Sequence, residues 1–315
     1  MTPTHLVAAA LAGPHLNPVD DVRQMLALHF MVNAFRAGAV AAVLGAVLGW
    51  FMVLRRQSFV GHTLAVVSFP GAAAAIWLGV SATAGYFAGS IAAAFVIAFV
   101  PRTPTGRAGS QESAVIGTVQ AFALASGALF VSLYGGFLDS VTGLLFGSFL
   151  GVSDGQVVAL VAVAGVALVV MAVLARPLFF ATVDRDVAVA RGIPERAVSV
   201  AFLLVLGCAA AEVSQVTGTL LVFALLVMPA AAAQQLTARP VLGLCLSVGL
   251  GLAVVWSSLG VAFYSTWPVG FFVSTFGFAV YLVAAGIRLV GDRRGPSTRR
   301  APAPPPTTTP GLATA

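Results

Sequence analysis

There is no lysine anywhere in this chain, and charged residues make up only 8% of its 315 positions. Soluble domains carry roughly 25% charged residues, and no soluble fold of this size covers so much apolar surface. The missing lysine also excludes a chemistry. A P-loop ATPase holds a lysine from G-x-x-x-x-G-K-[ST] against the phosphates of its nucleotide, so this chain supplies no such motor. No H-E-x-x-H run and no nucleophile–base pairing points to a membrane-embedded enzyme. Acids are few within the apolar runs, where an ion-coupled carrier working alone normally places a chain of them. The two cysteines, Cys208 and Cys245, sit far apart inside apolar runs. They read as small core residues rather than as a disulfide or a metal pair.

What the chain has is hydrocarbon: 59% of its residues are hydrophobic. Apolar runs near the length that spans a bilayer recur at 34–54, 63–80, 84–101, 113–133, 155–175, 198–213, 217–236, 240–263 and 269–290. The fold class this predicts is all-α: a polytopic membrane protein with about eight or nine transmembrane helices. Segment 140–152, "SVTGLLFGSFLGV", is short and glycine-rich, and a re-entrant or broken helix fits it better than a full crossing. Arg55, Arg56, Arg102, Arg107, Arg176, Arg185, Arg191, Arg196, Arg239, Arg288, Arg293 and Arg294 all follow odd-numbered runs. That asymmetry places the C-terminus inside. It also accounts for the net charge of +6 without nucleic acid, by anchoring on the lipid of the inner leaflet. Three regions follow: a leader over 1–30, interfacial near "VDDVRQMLALHF"; a transmembrane domain over 31–290; and a tail over 291–315, rich in Pro, Thr and Arg and expected to be disordered in the cytoplasm.

The densest charge lies in the loop 177–197, "PLFFATVDRDVAVARGIPERA". Asp184 can cap a short helix by accepting a backbone N–H. Gly192 can end it, because glycine tolerates the left-handed conformation needed there. A short capped helix with small residues on one face suits a docking knob for a cytoplasmic partner; a solvated connector is the other reading.

Here the residues resemble a known family, the zinc/manganese-type ABC importer permeases. The loop is similar to that family's coupling segment, with Asp184, Asp186, Ala188, Ala190, Gly192 and Pro194 in its D-x-E-x-A-x-A-x-G-x-P spacing. "RRQSFVGHTLAVVSFPG" at 55–71, "ESAVIG" at 112–117, "LFGSFLGVS" at 145–153, "VTGTLLVFALLVMPAAAAQQLT" at 216–237 and "YSTWPVG" at 264–270 match further family motifs in order. The resemblance implies an all-helical homodimeric permease of a bacterial cell membrane. A separate ABC ATPase subunit would energise it, and an extracellular metal-binding lipoprotein would feed it. It would hold no permanent cofactor, and its cargo would be a divalent metal ion, zinc or manganese.

Aligned without a gap from Gly61 to Gly71, the family's metal-binding aspartate falls on His62 and its histidine on Val66. A dimer would then offer neutral imidazoles and isopropyl groups where the family offers carboxylates and imidazoles. Imidazole binds zinc well but supplies no counter-charge. Two features can compensate. Pro70 lacks an N–H, so in a helix it frees the carbonyl of Val66. Glu112 and Glu212 are further carboxylates for the pathway, as ionisable groups at membrane depth commonly are. A permease of altered or lost metal specificity, and a stand-alone ion-coupled transporter, are the alternatives.

Overall fold

The computed structural model describes residues 18–99, 108–134, 143–147, 149–183 and 185–294, without the side chains of 18, 108–112, 185, 186, 189 and 292–294. Eleven α-helices and no strand occur among the described residues. In chain order they are α1 (Pro18–Leu26), α2 (His29–Leu54), α3 (Ser58–Trp77), α4 (Ala82–Ala98), α5 (Ala108–Tyr134), α6 (Asp154–Val183), α7 (Arg185–Ala190), α8 (Glu195–Thr217), α9 (Val222–Leu236), α10 (Pro240–Phe263) and α11 (Val269–Arg294). Each apolar run of the sequence became a helix because a bilayer leaves the backbone no other partner for its N–H and C=O groups. Ser81 starts α4 by accepting from the Ala84 N–H, and Pro240 opens α10 at the position where a missing N–H costs nothing.

Seven of the helices are long and apolar enough to cross a membrane. The two shorter apolar ones, α4 with 17 residues and α9 with 15, reach about 25 and 22 Å at 1.5 Å per residue. Both fall short of a hydrocarbon core of about 30 Å. Helix α9 is shorter than the apolar run 217–236 because the chain breaks at Gly218, whose φ of 79° and ψ of 153° few residues but glycine adopt.

That break is filled by the segment after α5. Leu144 and Leu145 accept from the Thr219 and Leu220 N–H groups at 3.4 and 3.2 Å, and the buried Tyr86 hydroxyl donates to Leu144 O at 3.0 Å. Gly147 and Gly218 cross backbone to backbone, so a Cβ on Gly218 would stand 2.3 Å from the Gly147 nitrogen. A 3₁₀ turn, Phe149–Gly151, then leads into α6. Irregular backbone is tolerated at membrane depth when protein satisfies it; here Leu144 and Phe149 are buried in the bundle, while Phe146 and Leu150 stay exposed.

The helices have two distinct ends. At one, Arg55 donates to Ser199 Oγ at 2.9 Å, the Gln234 amide donates to Trp50 O at 2.9 Å, and Arg288 donates to Gln235 Oε1 at 2.7 Å. The loops there carry the arginines. At the other, His29 meets Asp154 at 2.9 Å, Thr83 donates to Gln215 at 3.0 Å, and the Tyr264 hydroxyl donates to Asp21 of α1 at 2.9 Å. Helices α3 and α5 run parallel toward this second end, where Trp77 meets the Phe130 ring at 5.7 Å. Asp154 starts α6 at that same end. The segment 143–151 therefore returns to the end it left and does not cross.

Helices α2, α3, α8 and α9 form the centre. Between 67% and 72% of the apolar windows of α2, α3 and α8 are buried, against 17% to 33% for α5, α6, α10 and α11. The outer four present Val, Leu and Phe outward, as helices in contact with lipid do. Small residues let the centre close: a Cβ on Gly71 of α3 would lie 2.3 Å from the Gly85 carbonyl oxygen of α4.

Candidate translocation site

Residues i, i+4 and i+8 share one face of a helix, so α3 sets His62, Val66 and Pro70 in a row toward α5 and α9. The His62 ring stands edge-on to the Phe223 ring at 4.9 Å, and its Nε2 lies 3.5 Å from Gln120 Nε2, at the outer limit of a hydrogen bond. Its Nδ1 is buried with no hydrogen-bond partner. The Gln120 carbonyl oxygen accepts from Thr63 Oγ1 at 3.0 Å. Val66 and Pro70 are buried, and Pro70 has no N–H to offer the Val66 carbonyl one turn back. Deeper in the bundle Ser68 of α3 and Ser214 of α8 touch through their hydroxyls at 3.1 Å. This row is polar but neutral. It gives a dication dipoles and one imidazole, not a counter-charge, where the cost of leaving water is high.

Glu212 does not join that row. Ser214 faces α3, and Glu212, two residues away, points about 160° around α8 at 100° per residue. It lines a cavity of about 110 Å³ between α4, α6 and α8, together with Thr83, Phe87, Gln156 and Gln215. Glu212 is 1% exposed, and neither carboxylate oxygen has a hydrogen-bond partner. The single pathway expected from the sequence is thus two separate places, because helical phase divides residues that lie at similar depth. Glu112 falls in the first turns of α5 at the arginine-rich end, and its side chain lies outside the described residues.

The loop expected over 177–197 is shorter than that: residues 177–183 prolong α6, 195–197 open α8, and the short helix α7 lies between them. Asp184 and the side chain of Asp186 lie outside the described residues. The Ile193 N–H bonds Ala188 O at 3.1 Å and Gly192 takes a φ of 71°, which is the left-handed glycine stop expected there. Ala190, Gly192 and Pro194 are exposed. Ala188 is not: it is fully buried against the chain itself, so the small residue seats α7 on the bundle rather than forming the tip of a knob. Arg191 lies over the Phe180 ring at 5.4 Å beside it.

Gln120, Phe223, Thr83, Gln156 and Gln215 escaped the sequence reading. Each glutamine is an isolated amide at the end of or inside an apolar run, and that isolation was the only signal available. Among the described residues no group of three or more His, Cys, Asp or Glu comes together.

Residues 27–288 match the model of the ABC 3 transport family. The chain is 26% identical over 229 residues to a manganese transport system membrane protein, MntC, of Halalkalibacterium halodurans, covering 73% of this chain and 77% of that one. It is 28% identical over 258 residues to the chelated iron transport system membrane protein YfeC of Yersinia pestis, covering 81% and 85%. Among solved structures, PsaBC from Streptococcus pneumoniae in complex with Fab superposes with a TM-score of 0.75 at 21% identity, over 85% of this chain and 95% of the matched one. That last likeness is one of fold. The chain therefore belongs to the ABC 3 transport family, as a multi-pass permease of the bacterial inner membrane.

Proposed function

We propose that the chain is the membrane half of an ATP-driven importer for a divalent transition metal ion, zinc or manganese. A separate ATPase binds at the arginine-rich, cytoplasmic end, around α7 and the exposed Gly192 and Pro194. An extracellular metal-binding protein delivers cargo at the opposite end, and two copies of the permease enclose the path. The observation that carries this reading is a family match over 27–288 in a chain without a single lysine. Such a permease needs nucleotide hydrolysis and has no P-loop lysine with which to perform it. The names of two relatives, a manganese and a chelated-iron transport protein, support a transition metal as cargo.

Substitution of Asp184 by Arg or of Gly192 by Val tests the coupling. No atom lies within 4 Å of a Cβ placed on Gly192, so Val acts there through backbone alone. A β-branched residue forced to a positive φ costs about 1–2 kcal/mol, enough to unwind the end of a six-residue helix. In a strain whose only copy is the altered chain, accumulation of radioactive manganese or zinc should fall to background while the protein remains in the membrane. Normal accumulation would remove α7 from the mechanism.

A further inference from the structure

We propose that the cavity beside Glu212 is a cation site built from oxygen ligands alone, which takes a hard divalent cation of the Mn²⁺ class at the extracellular end of the permease. The inference rests on the importer reading and adds a place for the cargo other than the row on α3.

The anomaly is a buried carboxylate without a partner. Glu212 is 1% exposed, both oxygens lack hydrogen bonds, and no arginine or histidine forms an ion pair with it among the described residues. A bare carboxylate in apolar surroundings is costly enough that it must take up either a proton or a cation. A proton leaves the problem half solved, since the new O–H would need an acceptor and none lies within hydrogen-bond distance. A cation solves it, and the surroundings suit one.

Three more side-chain oxygens line the same cavity. Thr83 Oγ1 and Gln215 Oε1 lie 3.0 Å apart, and Gln156 Oε1 caps the start of α6 by accepting from the Ser153 N–H at 2.9 Å. A carbonyl-type oxygen has two lone pairs, so Gln215 Oε1, which accepts from Thr83, retains capacity for a ligand bond, whereas Gln156 Oε1 already accepts from both the N–H and the hydroxyl of Ser153 and shapes the rim instead. No imidazole or thiolate lines the cavity; Cys208, one turn below Glu212, opens instead on a separate apolar groove with Leu204 and Val205. A set of one carboxylate, one amide oxygen and a hydroxyl, completed by water, suits Mn²⁺, Mg²⁺ or Ca²⁺, whereas zinc sites typically use nitrogen and sulfur. The volume of about 110 Å³ is well above the roughly 10–15 Å³ of such space that a single water needs, so the cavity holds an ion together with several waters. Thr83 and Gln156 are exposed, so the rim is polar and open while the carboxylate sits at the bottom. The cavity also lies at the end where cargo would arrive.

The full-length chain is purified into lipid nanodiscs without any ATPase and titrated with Mn²⁺, the free ion being read by electron paramagnetic resonance. Saturable binding is expected, with excess Ca²⁺ displacing it. Glu212→Gln should weaken it by about tenfold or more. Glu195→Gln, which removes a carboxylate at the other end of the same helix, should leave it intact. Thr83→Val and Gln215→Leu alter the rim without touching Glu212 and should each weaken binding even if Glu212→Gln fails to fold. Absence of saturable binding, wild-type affinity in Glu212→Gln, or unaltered affinity in both folded rim variants would overturn the site. Because the assay involves no transport, such a result leaves the importer reading standing. That reading fails separately, if a strain lacking the chain accumulates manganese and zinc as the wild type does.

Discussion

An imidazole at position 62 and an isopropyl group at position 66 give the α3 row its neutral character, and each has a definite cost to reverse. His62 is half-buried, so a carboxylate there replaces a larger ring at a partly open position. Val66 is 5% exposed, and a histidine in its place overpacks the core by about 1–3 kcal/mol. The double variant His62→Asp with Val66→His should therefore melt below wild type in the absence of metal. It should also bind Zn²⁺ or Mn²⁺ more tightly by calorimetry, and the added metal should recover the lost melting temperature by mass action. Unchanged binding heats would mean that metal passes elsewhere. This residue-level contrast was readable from the sequence, because an ungapped stretch from Gly61 to Gly71 fixes which side chain sits where. The partition of Glu212 away from His62 was not. It depends on the rotation of α8 between α3 and α6, and a lone acid in an apolar run carries no phase of its own.

Among the elements, the pairing of segment 143–151 with the gap between α8 and α9 departs most from regular helical structure. Gly218 is held there twice, by a φ/ψ region nearly closed to other residues and by the Gly147 backbone 2.3 Å from where a Cβ would stand. Strain of this kind costs about 1–3 kcal/mol per residue. Gly218→Ala should lower the melting temperature of the purified permease by several degrees, with a larger drop for Gly147→Val. Gly117→Ala, at a helical position with nothing within 4 Å, should be neutral or slightly stabilising. Equal melting curves for all three would show that the crossing bears no load. Hydropathy found nine helices from residue 29 onward but began one of them at 217, five residues early. Gly218, Thr219, Leu220 and Leu221 are apolar enough to continue the run, and a positive φ leaves no trace in hydrophobicity. The brevity and glycine content of 140–152 did mark it as a re-entrant or broken helix rather than a regular span.

For the whole molecule the arginines and the geometry agree without depending on each other. The former follow odd-numbered runs in the sequence; the latter brings Arg55, Arg191 and Arg288 to one end of the bundle and His29, Asp154 and Tyr264 to the other. Cytoplasmic loops hold the excess of arginine, so the second end faces out. The inference turns on segment 143–151: had it crossed, every later loop would change sides and Arg191 and Arg288 would face outward, against that rule. Single cysteines in a background with Cys208 and Cys245 replaced by alanine decide it. Ser265→Cys, in the turn between α10 and α11, should react with a membrane-impermeant maleimide in intact cells. Ala197→Cys, in the first turn of α8, should react only after the membrane is opened. Both positions lie beyond the inward-turning segment, so the opposite pattern would mean that it spans the bilayer. The ATPase would then have to bind where the oxygen-lined cavity now opens, and the coupling role of α7 would be lost together with the orientation.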